Sequence, residues 1–414
     1  MSSDRTNVTT QEPDARKPTP SAPLPTPSVQ DIGTWLRRGD IGQLPAILML
    51  LAIVIAFQIV TGGDFLKPTN LSNLILQEVS TAVVALGAVM TLLLAEIDLS
   101  LAAVANLCGA VMTTLSVYQH LSAPLALLCG LGAGLVVGLI NGFFVAVMRI
   151  PSFIVTLAAY IFYSGLLLHI LLPNTTIRLF DPVLTGIMSN YVTFPWDVLI
   201  PIPIVVIYAG ALLLERSRRA KTGLELEPAY AMWGRIGVVI LLTVGALLIF
   251  ESALGVPYSM FIVLGLLIIF WLLLRFTTYG RHVYAVGGSP EAARRAGIRV
   301  TAIRISVFAL GSMLAGLGGI LESSRTISAS AQVDPRLLLL AIAVAVIGGV
   351  SLFGGRGSVW GVVLGILIIG SLENGLTLLS ATGTDLKFML EGAVLIAAVM
   401  LDAITRRRSA VSGR

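Results

Sequence analysis

The chain has 414 residues, of which 56% are hydrophobic and only 12% charged, against about 25% charged in ordinary soluble domains. That balance excludes a soluble enzyme or a nucleic-acid-binding domain and points to an all-α, polytopic membrane bundle. The net charge of +5 does not imply nucleic acid as a partner, because the basic residues fall in short links between apolar runs, where they orient a chain in a membrane.

Residues 1–43 are polar, with Pro13, Pro18, Pro20, Pro23, Pro25 and Pro27 among Ser and Thr, the composition of a disordered tail. The stretch lacks the basic start, apolar core and cleavage site of a secretory signal and is expected to be retained in the cytoplasm. Apolar runs follow near 44–61, 79–95, 101–118, 123–148, 152–172, 197–214, 236–250, 259–275, 302–321, 337–353, 358–379 and 386–403. Each approaches the length that spans about 30 Å of hydrocarbon, so twelve helices are expected within a membrane domain of 44–408, followed by a short cytoplasmic end, 409–414. With the tail inside, all of the 27 Lys and Arg except Lys67, Arg178, Arg325, Arg336 and Lys387 fall on inner segments. The bias predicts both termini cytoplasmic; ten or fourteen helices would satisfy it equally.

Two links between spans carry chemistry. AEIDLS, residues 95–100, puts Glu96 and Asp98 near membrane depth, where carboxylates face a cavity or a partner. Asp98 and Ser100 also suit the cap of the following helix. A second break, VIGGVSLFGGRGS at 346–358, resembles it in layout, and Asn141-Gly142 and Asn374-Gly375 each stand late in a span. Their order is that of an inverted repeat, with a substrate path between the halves. Glu96, Asp98, Ser100, Asn141, Glu373 and Asn374 are therefore the candidate path or gate residues. Glycines such as Gly130, Gly134, Gly138 and Gly142, or Gly311, Gly316, Gly318 and Gly319, allow close helix approach, a gliding surface being the lesser reading. On the outer links Glu251, Arg325, Asp334 and Arg336 offer ion pairs to a docking protein.

The polar segment 275–304 stands apart with Arg275, Arg281, Arg294, Arg295, Arg299 and Arg304. Within it Ser289 is a good N-cap, Pro290 suits the first turn, Glu291 the positive helix end and Arg294 and Arg295 the negative end, with Gly297 as the stop. So short a helix is unstable alone and needs something to pack against; a soluble partner is expected. No phosphate-binding Gly-rich loop with Lys and Ser or Thr occurs, so ATP has no such seat in this chain. His120, His169 and His282 are scattered, Cys108 and Cys129 lie in apolar runs, and no metal or catalytic role is expected.

AEIDLS, GLINGFFVAVMRIPSFIVTLA (138–158), GRHVYAVGGSPEAARRAGI (280–298), VIGGVSLFGGRGSVWG (346–361) and SLENG (371–375) together resemble the permease subunits of bacterial ABC-type monosaccharide importers of the ribose, galactose and xylose group. AEIDLS and the extra spans at 197–250 are most similar to the xylose type. The chain departs from the group at Leu101-Ala102, where Val-Gly is usual, and at Asp334-Pro335-Arg336-Leu337, where an acidic Glu-Leu-Asp-Ala run is usual. The resemblance implies a non-enzymatic subunit of the bacterial inner membrane that moves a sugar, D-xylose or a related pentose, by alternating access. It implies a homodimer in lipid, an extracytoplasmic sugar-binding protein, and a cytoplasmic ATPase that holds the ATP and Mg. It also implies that Gly287, Ser289, Pro290, Glu291, Ala292, Arg294, Arg295, Gly297 and Ile298 form the seat for that ATPase. The alternative is a proton-coupled sugar carrier of the major facilitator type, whose basic signature between the second and third helices is missing from EIDLS.

Overall fold

In hydrocarbon every backbone N–H and C=O needs an internal partner, so long apolar runs fold as helices. The computed structural model describes residues 44–379 except 194, 223–225, 227 and 253–254, with scattered positions between 385 and 400. The N-terminal tail and the C-terminal end lie outside the described residues, and so does most of the expected span 386–403.

The helices are α1 (Leu44–Val60), α2 (Pro68–Leu92), α3 (Leu101–Tyr118), α4 (Ala123–Ala146), α5 (Ser152–Leu171), α6 (Pro182–Ser189), α7 (Trp196–Leu199), α8 (Pro201–Lys221), α9 (Ala229–Glu251), α10 (Tyr258–Phe276), α11 (Thr278–Gly288), α12 (Pro290–Arg295), α13 (Val300–Thr326), α14 (Pro335–Ile347) and α15 (Gly361–Leu378). Among the described residues nine helices are long and apolar enough to cross a membrane, and two shorter apolar ones lie in α1 and α14. Two small antiparallel ladders join links at the end away from α12: β1 (Thr176–Arg178) with β4 (Ser328–Ser330), and β2 (Tyr191–Val192) with β3 (Val256–Pro257).

Three elements differ from expectation. α2 starts at Pro68, eleven residues before the apolar run suggested, and Asn70, Ser72 and Glu78 are buried within it. α11, in a segment expected to hold one helix, buries Val283 and Val286 and is capped by Thr277, whose Oγ1 accepts from the Gly280 N–H at 3.2 Å. α14 ends at Ile347, so the run to 353 is a 13-residue helix, about 20 Å long, followed by an irregular break.

α13 is the centre of the bundle and packs most extensively against α4, α2 and α3. It gets that close because side chains are missing at the crossings. A Cβ on Gly87 of α2 would meet the Gly311 carbonyl at 2.6 Å, and one on Gly134 of α4 the Ser312 carbonyl at 2.9 Å. Added at Gly138 or Gly319, it would run into the backbone of Phe308 or Ala105. Ser80 Oγ donates to the Gly318 carbonyl at 2.8 Å, a polar stitch across the α2–α13 contact. The exposed apolar residues gather on peripheral helices: Leu128 and Val136 on α4, Ile161 and Phe162 on α5, Val206 and Leu214 on α8, Leu241 and Leu248 on α9. These are faces that lipid would cover.

Gly132 has open space where its Cβ would stand, unlike its neighbours Gly134 and Gly138 on the same helix. Gly138→Val is therefore expected to destabilise the purified protein by about 1–3 kcal/mol through overpacking. Gly132→Ala is expected to leave it unchanged or gain up to about 1 kcal/mol from helix propensity. Thermal melting in detergent compares the two; equal losses would contradict the packing.

Candidate functional site

The two ends of the bundle gather different residues. At one end α11, α12, the AEIDLS link and the second break pack together. The Gly355 N–H donates to the Leu93 carbonyl at 2.9 Å, and Gly287 lies against that same carbonyl with no room for a Cβ. Gly354 and Gly355 adopt left-handed φ of 79° and 70°, which lets the break turn tightly beneath α11. Tyr284 Oη donates to the Gly357 carbonyl at 2.9 Å.

On this base α12 takes the form its sequence writes. Ser289 Oγ accepts from the Ala292 N–H at 3.3 Å, and Gly297 has φ 84°. Ala293 is buried against the bundle, whereas Glu291, Ala292, Arg294, Arg295 and Gly297 are exposed, with Pro290 and Ile298 half-buried. Glu291, Arg294 and Arg295 form no ion pair with any described residue. Beside α12 a cleft of about 320 Å³ is lined by Glu96, Arg149, Ser152, Arg294 and Arg304 among others. Glu96 is ion-paired there with Arg304 of α13 at 3.3 Å.

At the other end a polar cavity of about 510 Å³ opens between α2, α13, α14 and α15, with β4 in its wall. That volume lies within the range of small-molecule sites, about 300–1,000 Å³. Gln77, Glu78, Thr81, Asn106, Gln332 and Glu373 line it, with Arg325 and Arg336. Arg336 Nη2 donates to Glu373 Oε1 at 3.1 Å, bridging α14 to α15, and its guanidinium stands 4.3 Å over the Phe388 ring. Arg325 is held by Glu322, at 2.6 and 3.1 Å. Asp334 caps α14 by accepting from the Arg336 N–H at 2.9 Å. Of the expected docking residues, Arg325, Asp334 and Arg336 thus meet at this cavity. Glu251 stands elsewhere, beside Asp197 of α7.

The expected path residues divide. Glu373 lines the polar cavity and Glu96 the cleft beside α12, at opposite ends. Asp98, Ser100 and Asn141 line neither, and are 2%, 0% and 1% exposed. They form a chain instead: Tyr163 Oη donates to Asn141 Oδ1 at 3.2 Å, Asn141 Nδ2 to Ser100 Oγ at 3.1 Å, and Ser100 Oγ to Asp98 Oδ1 at 2.6 Å. Asp98 Oδ1 also accepts the Ser100 N–H at 2.9 Å, so the carboxylate caps the turn while the Ser100 side chain makes no cap bond to its helix. The chain fastens the AEIDLS break to α4 and α5, and Thr156 adds a bond from the Leu99 N–H at 3.0 Å. Asn374, at the far end, accepts from Asn70 Nδ2 at 2.8 Å. Asn141 and Asn374 thus sit toward opposite ends, as an inverted pair would, whereas the two breaks meet at one end.

Hydropathy places neither Glu78 nor Asn70 in a span, because the apolar run starts only at residue 79. The available signal was Pro68 at a first helical position followed by Leu71, Leu74 and Ile75 at helical spacing. Glu78 is 4% exposed, lies over Gly370 of α15 and lines the polar cavity. No group of three or more metal-ligating His, Cys, Asp or Glu side chains converges among the described residues.

A family model described as a permease component of branched-chain amino acid transport systems matches residues 70–399. The xylose transport system permease protein XylH of Escherichia coli (strain K12) is 34% identical over 88% of this chain and 92% of its own. The fructose import permease protein FrcC of Rhizobium meliloti is 32% identical, over 89% and 86%. The ribose import permease protein RbsC of Bacillus subtilis (strain 168) is 30% identical, over 88% and 92%. No solved structure matches at a comparable significance. The family match gives no support to a major facilitator carrier.

Asp98→Ala is expected to cost about 1–3 kcal/mol, because it strands the buried Ser100 hydroxyl and N–H. Asp98→Asn, which keeps an acceptor in place, is expected to lose less than half as much. Melting temperatures in detergent test this; equal losses for the two variants would mean that the hydrogen-bond chain does not hold the break.

Proposed function

The chain belongs to the permease-component family of branched-chain amino acid transport systems, and from that membership we propose that it is the membrane subunit of an ATP-driven sugar importer. Its cargo is a monosaccharide, D-xylose or a related pentose, since the relatives of matching length include permeases named for xylose, ribose and fructose. The end carrying α12 faces the cytoplasm, because it also carries Arg149, Arg218, Arg281, Arg304 and Arg356, and both termini lie on that side. The opposite cavity then faces outward and receives sugar from an extracytoplasmic binding protein, with Arg325, Asp334 and Arg336 at the docking rim. A second copy of the chain completes the assembly in the lipid bilayer.

The observation that carries this reading is the position of α13. It starts five residues after α12 and ends in the wall of the outer cavity, to which it contributes Gly319, Glu322, Ser323, Arg325 and Thr326. Its 27 residues make a rod of about 40 Å, long enough to join the two membrane faces. ATP and Mg belong to a cytoplasmic partner that seats on α12, whose exposed Glu291, Arg294 and Arg295 supply charges for opposite charges on that surface. A displacement of α12 is passed to the first turn of α13 at Val300, and so to the cavity wall. Sugar hydroxyls find donors and acceptors in Gln77, Asn106 and Gln332, and carboxylate acceptors in Glu78 and Glu373.

The test is xylose uptake by proteoliposomes holding the chain with its ATPase and binding protein. Uptake is expected to need ATP and to continue when a protonophore collapses the proton gradient; uptake that stops at once would identify a secondary carrier. Reversing both charges, Arg294→Glu with Arg295→Glu, is expected to cut ATPase co-purification and uptake by at least about tenfold, from the loss of two rim charges. Undiminished assembly and transport would remove α12 from the coupling role.

A further inference from the structure

The pair α8 and α9 is the part of the chain that transport, as described above, does not use. At the α12 end of the bundle, the end of α8 joins the end of α10, α11 and the second break around a groove of about 830 Å³. Arg218, Arg219, Arg275 and Arg281 line it, with Trp271 and Tyr284 among the aromatic residues of its wall. Its single carboxylate, Glu215, is already engaged: Oε1 accepts from Arg219 Nη2 at 2.8 Å and from Arg275 Nη2 at 2.7 Å, and Oε2 from Arg275 Nε at 3.2 Å. Arg218 and Arg281 are exposed and make no ion pair with any described residue. Four guanidinium groups thus surround one neutralised carboxylate.

We propose that this groove seats the headgroup of an anionic phospholipid. The chemistry is that of a phosphodiester: guanidinium groups present paired N–H donors to its oxygens, and basic pockets between helices at the cytoplasmic surface suit anionic headgroups. The surroundings select a lipid over a soluble phosphate. Leu213 and Leu214 on α8, Val238 and Leu241 on α9 and Ile269 on α10 are exposed apolar side chains on the helices that carry or adjoin the groove, and acyl chains would cover them. A docked ATPase is the less favoured occupant, because no residue of α12 lines the groove. The bound lipid would tie the peripheral α8–α9 pair to the core through Arg218 on α8 and Arg281 on α11.

The test uses the full chain in detergent and native mass spectrometry, with phosphatidylglycerol or phosphatidylcholine titrated in. One phosphatidylglycerol per chain is expected to be retained in preference to phosphatidylcholine. Arg218→Gln with Arg281→Gln is expected to weaken that retention roughly 10- to 30-fold, while Arg149→Gln with Arg299→Gln, an equal loss of charge at the same end, leaves it unchanged. Equal retention of the two lipids overturns the proposal, and so does full retention by the first variant. Complete displacement of the lipid by millimolar inorganic phosphate would assign the groove to a soluble phosphate and overturn it too. So would a variant that loses the co-purifying ATPase while keeping its lipid. Should the double variant fail to fold, the parent's preference for phosphatidylglycerol and its decline with rising salt decide the matter.

Discussion

Close approach of α13 to three other helices is the constraint on which the bundle depends. Helices in lipid gain little from apolar side chains, which lipid tails solvate equally well, and associate through backbone proximity, van der Waals contact and hydrogen bonds. Here Gly87, Gly134, Gly138, Gly311 and Gly319 remove the side chains at the crossings, and the Ser80 bond to the Gly318 carbonyl sits within the same contact. A helix so enclosed moves with its neighbours or against them as a rigid body, since a packed interface deforms little. That makes α13 suited to carry displacement between the face where α12 is exposed and the polar cavity at the other end.

Polar residues inside the bundle do a second job. A chain that breaks its helices at membrane depth must satisfy the freed backbone groups, and does so where the break is buried in protein. The AEIDLS break meets this need with Asp98, Ser100, Asn141, Tyr163 and Thr156, and the second break with left-handed glycines and the bond from Gly355 to Leu93. Charged pairs are kept for the two ends: Glu96 with Arg304 on the α12 side, Arg336 with Glu373 in the polar cavity. Keeping ion pairs toward water follows the cost of desolvating charge, and the one carboxyl in the deep chain, Asp98, is met by the Ser100 hydroxyl and N–H.

Much of this was legible in the sequence, and the exceptions have physical causes. α12 could be read from its own caps, because Ser289, Pro290 and Gly297 act within a few residues and need no tertiary context. The start of α2 could not be read from hydropathy, since a helix that lines a polar cavity carries polar residues such as Gln77 and Glu78 along one face. Asp98 and Asn141 look alike to sequence whether they line a path or cross-link helices, and only the burial of both and the bond through Ser100 assign them to the second role. α11 was hidden for a different reason: its apolar contacts, Val283 and Val286, are few, and its helix depends on Gly287 fitting against Leu93, a contact 194 positions away in the chain.

The proposed function requires that α13 connect the exposed α12 to the polar cavity at the other end. The most direct measurement is the distance between spin labels at Thr326 on α13 and Thr377 on α15, both at the cavity, in a background with Cys129 removed, while the partner ATPase is cycled between nucleotide-free and ATP-bound states. The distance is expected to change on ATP binding, and the change to vanish when the charges of Arg294 and Arg295 are reversed. A distance that is constant through the cycle, or a change that survives the reversal, would contradict it.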